Sequence, residues 1–289
     1  MKAIIFGSKG QDGHYLTQLL QQQNLEVIGI GKALASSDID ITNYQSVKSL
    51  IRNQQPDFIF HFAANSTTKH EALFENHAVI STGSINILEA VKNFSPGTKI
   101  FISGSGLQFK NNGNPIKETD PFEARDAYSI SRIHSVYAAR YYRNLGIKVY
   151  VGYFFNHDSP WRTERHMAKK ISEAVKRIAR GSDEKIEVGD ASVVKEWTFA
   201  GDVVSGVWML VNQDKIMEAN IGSGIGYSIE DWINTCFSII GKDKNRYILK
   251  KNDFVPDYKQ LVSDSSLIRS VGWKPQISFE QLAQMMLTQ

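Results

Sequence analysis

Met1-Lys-Ala-Ile-Ile-Phe-Gly-Ser-Lys-Gly-Gln-Asp-Gly13 decides the fold: a β-branched run meets glycines at 7, 10 and 13, and the apolar-periodic Tyr15-Leu-Thr-Gln-Leu-Leu20 follows. Between a first strand and a first helix, Gly7 allows the tight bend. Gly10 lets backbone amides approach a pyrophosphate, and Gly13 lets the helix pack against the strand. The segment reads as a dinucleotide-binding turn.

Outward from this turn, strand-like runs alternate with amphipathic stretches. Glu26-Val-Ile-Gly-Ile30, Phe58-Ile-Phe-His-Phe62, Lys99-Ile-Phe-Ile102 and Lys148-Val-Tyr-Val-Gly-Tyr-Phe-Phe155 are separated by helical patterns, the longest from about Tyr128 to Leu145. Such alternation implies βαβ units and a parallel sheet. The expected fold is α/β, a Rossmann-like doubly wound parallel sheet with six or seven strands before Asn156, followed by a smaller mixed α/β C-terminal substrate lobe. Residues 1–155 form the dinucleotide-binding domain, with 196–213 returning to it, and 156–195 with 214–289 form the lobe. Within the lobe the pattern predicts a basic helix from about His166 to Arg180, a short strand near Ile186 and a final helix from Phe279 to Leu287.

The second strand ends Ile28-Gly-Ile-Gly31-Lys32, without the carboxylate that grips the ribose hydroxyls of NAD. Lys32 suits a 2′-phosphate instead, which points to NADP, with NAD the alternative. Asp40 and Ile41 are placed to flank the adenine, or Asp40 caps the helix starting near Asn43. Phe62-Ala63-Ala64 ends a buried strand in small residues that let the backbone come close to the dinucleotide.

A chain of 289 residues with 42% apolar content can bury a full α/β core. Thirty-three basic against 30 acidic residues, without a Lys/Arg run, do not make a nucleic-acid surface. The one cysteine, Cys236, lies in an apolar stretch and reads as a small hydrophobe suited to a reducing compartment. Neither a membrane-length apolar run nor a signal peptide is seen, so a cytoplasmic protein is expected. The histidines are scattered, and no metal site is expected; His61 reads as buried or near the cofactor. Trp197, Trp208 and Trp232 read as core or pocket walls.

Several phrases have little generic structural reason to arise: Gly10-Gln-Asp-Gly13, Phe155-Asn-His-Asp-Ser-Pro160 with Arg162, Arg177-Ile-Ala-Arg-Gly181, Val188-Gly-Asp190 to Lys195-Glu-Trp197, and Val271-Gly-Trp-Lys-Pro-Gln-Ile-Ser-Phe279. Through them the chain resembles the extended short-chain dehydrogenase/reductase superfamily and, within it, the GDP-mannose 4,6-dehydratase family. The resemblance implies a nucleotide-sugar substrate. It implies a cofactor site of Gly7, Gly10, Gln11, Asp12, Gly13, Lys32, Asp40, Ile41, Phe62, Ala63, Ala64, Tyr128, Arg132, His157 and Arg162, the last two beside the nicotinamide half. Asn156, Lys170 and Lys195 would line the sugar-nucleotide pocket.

Tyr128 and Arg132 match the family's Tyr-x-x-x-Lys pair, four residues apart on one helix face. In that family the tyrosine passes a proton at the carbon exchanging a hydride, helped by the nearby cation. An arginine supplies the charge but does not readily release a proton. A larger departure is Ser103-Gly-Ser-Gly106: the family's hydroxyl residue falls on Gly104 and its glutamate on Gly106, leaving Ser105 or Ser103 to replace the hydroxyl. Asp158, Glu164 and His157 are the titratable residues nearby in sequence. Val255-Pro-Asp-Tyr258 stands where the family contacts the nucleotide, and the loop at 33–37 is shorter than the family's arginine-rich one, which favours a homodimer over a tetramer.

Three functions stay open. One is hydride transfer at C4 of a (GDP-)hexose or 4-keto-6-deoxy sugar. The second is the family's lyase reaction, or epimerisation, with another base. The third is non-catalytic binding of NADP(H) or a nucleotide sugar.

Overall fold

The computed structural model describes residues 1–31, 39–251 and 254–288; Lys32 and the loop at 33–37 lie outside the described residues. Strands β1 (Lys2–Phe6), β2 (Glu26–Ile30), β3 (Phe58–His61), β4 (Lys99–Ser105) and β5 (Val149–Phe154) join the strand Glu218–Ile221 in one sheet. From one edge the order is Glu218–Ile221, β5, β4, β3, β1, β2, with every pairing parallel. The chain therefore winds outward from β1 in both directions, and a crevice opens beyond the strands' carboxyl ends where the winding reverses.

The expectation of six or seven strands before Asn156 is corrected. Five are present by then, and the sixth arrives from Glu218–Ile221. The residues between form lobe elements and the helix Ala200–Val211, which packs back on the helix Gln11–Gln22.

Side chains alternate across β1, and the alternation sorts them into two cores. Ile4 and Phe6 join the cluster under the helices Tyr44–Gln54, Gly83–Phe94 and Ala127–Asn144, whereas Ala3 and Ile5 face the helices Gln11–Gln22 and Ala200–Val211. A third cluster lies among the helices Met167–Ala179, Ile229–Ile240 and Phe279–Thr288. Trp197 stacks on Trp232 within it, 4.6 Å between ring centroids, and Cys236 is buried beside them. Trp208 packs edge-on against Phe58.

Capping sets the position of the longest helix. Asp126 Oδ1 accepts the amides of Tyr128 and Ser129 at 2.9 and 2.8 Å, and Ser129 Oγ accepts the Asp126 amide at 3.0 Å. This reciprocal box fixes the start of Ala127–Asn144. Tyr128 therefore stands in the first turn, beside the carboxyl end of β4. Among the described residues, no helix is long and apolar enough to cross a membrane.

Candidate active site

The glycines of the first turn are sterically required. Gly7 has φ +91, and a side chain there would press on the Ala63 nitrogen at 2.7 Å; one at Gly13 would meet Ser8 Cα at 2.5 Å. The Gly7 amide is held by the Ile30 carbonyl at 2.8 Å, and the Ala63 amide by the Phe6 carbonyl at 3.0 Å, which brings the ends of β1, β2 and β3 together. Gly10 is the N-cap of Gln11–Gln22, and among the described residues no side chain caps it. The helix thus presents its leading amides and the positive end of its dipole to an anion.

A set of polar contacts ties this helix to the segment leaving β5. His157 Nε2 meets Asp12 Oδ1 at 2.8 Å, while its Nδ1 meets the Phe155 carbonyl at 2.7 Å. With an acceptor at each nitrogen the imidazole carries both protons. Burial opposes that charge, yet Asp12 outweighs it and holds the His157 pKa above the ordinary value. Burial would likewise raise Asp12, but the charges of His157 and Arg162 keep its carboxyl below the usual range. Buried Gln11 accepts from Ser159 Oγ at 2.8 Å and donates to the His157 carbonyl at 3.4 Å.

Beyond these contacts opens a cleft of about 230 Å3 that brings together Asp12, Phe62, Ser105, Tyr128, Arg132, Asn156, His157 and Arg162 from the sequence-predicted set. Arg132 is buried, its guanidinium 4.9 Å from the centre of the Tyr128 ring. Arg132 Nη1 donates to both the carbonyl and the Oγ of Ser103, the latter at 2.8 Å, and Ser103 Oγ donates onward to the His61 carbonyl at 2.9 Å. Ser103 is therefore fully engaged in holding the arginine. Ser105 Oγ only accepts, from the Leu107 amide at 3.2 Å, so among the described residues its proton has no protein acceptor. His61 lies fully buried behind the pair. Burial, then the Arg132 charge, pushes its pKa down to about 3, so the ring is neutral.

The two glycines of β4 and its following turn face filled space. A Cβ on Gly104 would stand 2.6 Å from the Tyr153 ring and 3.1 Å from Gln108 Oε1; one on Gly106 would stand 2.8 Å from the Phe155 ring. Tyr153 is locked in turn by Glu218, which accepts its hydroxyl at 2.5 Å and pairs with Arg140. Aromatic rings thus occupy the directions in which a hydroxyl residue and a glutamate would project.

Other sequence-predicted residues lie apart from the cleft lining. Ala63 and Ala64 follow β3 beside the glycine turn. Exposed Asp40 turns its carboxylate to the amide and hydroxyl of Thr42, and Asn43, not Asp40, caps the helix Tyr44–Gln54. Ile41 is buried against the core. Lys170 is exposed on Met167–Ala179. Lys195 is buried over the Trp197 ring, and burial lowers its pKa despite the pull of Asp158. The sequence reading did not single out Thr67, Thr68, Leu107 and His166, which line the cleft; Ser66 and Tyr258, at the ends of the segments read as approaching the coenzyme and the nucleotide, line it too. Burial and flanking Arg162 and Arg165 drive His166 down to about 3. Only its place just after Arg162 could have drawn attention to it. Tyr258 also lines an adjoining cavity of about 260 Å3 with Arg125 and Asp257.

A parallel sheet wound in this order, a glycine turn at the end of β1 and a Tyr-x-x-x-Arg helix beside β4 define the architecture of an extended short-chain dehydrogenase/reductase. The family model for GDP-mannose 4,6 dehydratase matches residues 34–286, and the chain belongs to that family of nucleotide-sugar enzymes. GDP-mannose 4,6 dehydratase 2 of Arabidopsis thaliana is 30% identical over 318 residues, spanning 99% of this chain and 85% of that protein. Among solved structures, RMD from Pseudomonas aeruginosa complexed with NADPH has a TM-score of 0.88 at 20% identity, covering 99% of this chain and 97% of that one. The dTDP-glucose 4,6-dehydratase of Bacillus anthracis in complex with NAD has a TM-score of 0.85 at 18% identity, covering 99% and 95%.

Proposed function

We propose that this chain is an NADP-dependent oxidoreductase of nucleotide-linked hexoses, exchanging hydride at C4 of a (GDP-)hexose or 4-keto-6-deoxy sugar. The carrying observation is the filled space at Gly104 and Gly106 beside a retained Tyr128. Elimination of water across C5 and C6 needs a base for the C5 proton. Hydride exchange at one carbon needs only a positioned coenzyme and a proton donor.

The residues present fit a dinucleotide. Gly7 and Gly13 let the turn pack tightly against Ala63 and Ser8, and at Gly10 the helix start has no side-chain cap among the described residues, which suits a pyrophosphate. Lys9 favours NADP: its side-chain stem runs along the end of β2, with Cγ 3.3 Å from where a Gly31 side chain would begin, on the side where the ribose 2′ position is read. The P. aeruginosa fold relative binds NADPH and the B. anthracis one NAD, so the fold itself accepts either. When bound, the coenzyme supplies or accepts the hydride.

In this reading Tyr128 carries the proton to or from the sugar C4 oxygen. Arg132, fixed by Ser103, keeps a permanent charge against the phenol ring. Ser105 turns its free hydroxyl to the same oxygen, and Asn156 in the cleft receives the nucleotide sugar. Residues 1–155, 196–213 and the strand Glu218–Ile221 form the coenzyme domain, and the remaining segments form the substrate lobe. A homodimer forms through Ala127–Asn144, which exposes Ile130, Tyr137 and Tyr141.

Dehydration by another base is less well supported. His157 is doubly hydrogen-bonded and charged, exposed Glu164 reaches toward Arg177, and Asp158 lies 3.7 Å from Arg162. Purified protein with NADPH and a panel of 4-keto-6-deoxy nucleotide sugars tests the proposal. Loss of nicotinamide absorbance with at least one sugar is expected; none, where a control reductase works, contradicts it.

A further inference from the structure

We propose that Trp161 is a latch across the glycine turn that slows release of the dinucleotide. The inference rests on the coenzyme reading above.

The segment after β5 makes a tight turn at Ser159–Arg162, closed by the Arg162 amide on the Ser159 carbonyl at 3.0 Å, with Pro160 at its second position. The base of this turn is anchored, because Ser159 Oγ is bonded to buried Gln11. Its tip is not buried. Trp161 is 51% exposed, yet its indole lies parallel to the His14 ring, 3.9 Å between centroids and 3° between planes. The indole Nε1 also reaches the Lys9 carbonyl at 3.5 Å.

Lys9 and His14 stand on either side of Gly10, so the indole bridges the uncapped start of the first helix. Among the described residues the flat ring is held at one stack and one long hydrogen bond, so side-chain rotation can swing it off while the anchored base stays in place. Such rotation at an exposed residue is fast. When the ring is down it covers the outer side of the turn that receives the pyrophosphate. Its neighbour Arg162 faces inward and lines the cleft. One proline-stiffened turn therefore offers an outer cover to the coenzyme and an inner cation to the cleft.

The test is the rate at which NADPH fluorescence decays when NADPH-loaded protein is chased with excess NADP+. Trp161→Ala and His14→Ala should each speed release about five-fold, the factor that losing one aromatic stack would give. His14→Phe, which keeps a stacking partner, should release near the parent rate and so separates the latch from a general loosening of the fold. Equal rates in the parent, W161A and H14A would overturn the latch while leaving the coenzyme assignment intact. A parent protein that takes up no NADPH would overturn both.

Discussion

Gly106 shows how far one residue bears on the chemistry. A glutamate there would need the space of the Phe155 ring, 2.8 Å from its first side-chain carbon, and Gly104 is closed in the same way by Tyr153. Restoring the family's residues singly is therefore expected to damage the core before it could add a base. Gly106→Glu should cost about 1–3 kcal/mol through overpacking, lowering the melting temperature in a calorimetric scan, and should not generate a dehydrated product. Tyr128→Phe makes the complementary prediction. If Tyr128 carries the proton as proposed, its loss should lower turnover about a hundred-fold or more, while NADPH titration shows affinity close to the parent. The glycines themselves could be read from the chain. That their space is filled could not, because Tyr153 and Phe155 reach them from β5 and the segment just after it, through strand pairing that no local pattern displays.

Between elements, the Asp12–His157 pair joins the first helix to the segment after β5, and its pH dependence has a definite sign. The His157 pKa is raised, so its contribution is complete below the free value of 6.5 and is lost as pH rises through the folded value. Asp12 is lowered, so its contribution is present above 3.8 and is lost as pH falls through its folded value. The pair is fully expressed between those limits. His61 acts in the opposite sense. Held neutral down to about 3, it lets the unfolded chain bind an extra proton below pH 6.5, so stability falls as pH drops. Urea unfolding across the pH range should therefore show an acid arm that flattens in His61→Gln and an alkaline arm that flattens in Asp12→Asn. An unchanged profile in either variant would remove its assignment. Element boundaries were legible to within a residue or so where periodicity was strong, as in Ala127–Asn144, Met167–Ala179 and Phe279–Thr288. The strand Glu218–Ile221 was not. It has four residues, and only pairing with β5 makes it part of the sheet.

Across the whole molecule, the long helix serves two surfaces. Its buried side holds Arg132 against Ser103, and its outer side exposes Ile130, Tyr137 and Tyr141. If a second copy covers that outer side, Tyr137→Asp with Tyr141→Asp should shift sedimentation from dimer to monomer. A parent protein that sediments as a monomer would contradict the homodimer. The glycine turn and the tyrosine helix were visible in the sequence because each is a local pattern. The cleft joining them also needs residues 66–68, His166 and Tyr258, which only the fold brings together. The central claim is that these parts make a hydride-transfer site without a base for elimination. Mass spectrometry of the product formed from a 4-keto-6-deoxy nucleotide sugar and NADPH deuterated at the transferable position of nicotinamide C4 tests it most directly. The account predicts one deuterium at the sugar C4; a coenzyme that keeps its label beside an unreduced sugar would contradict it.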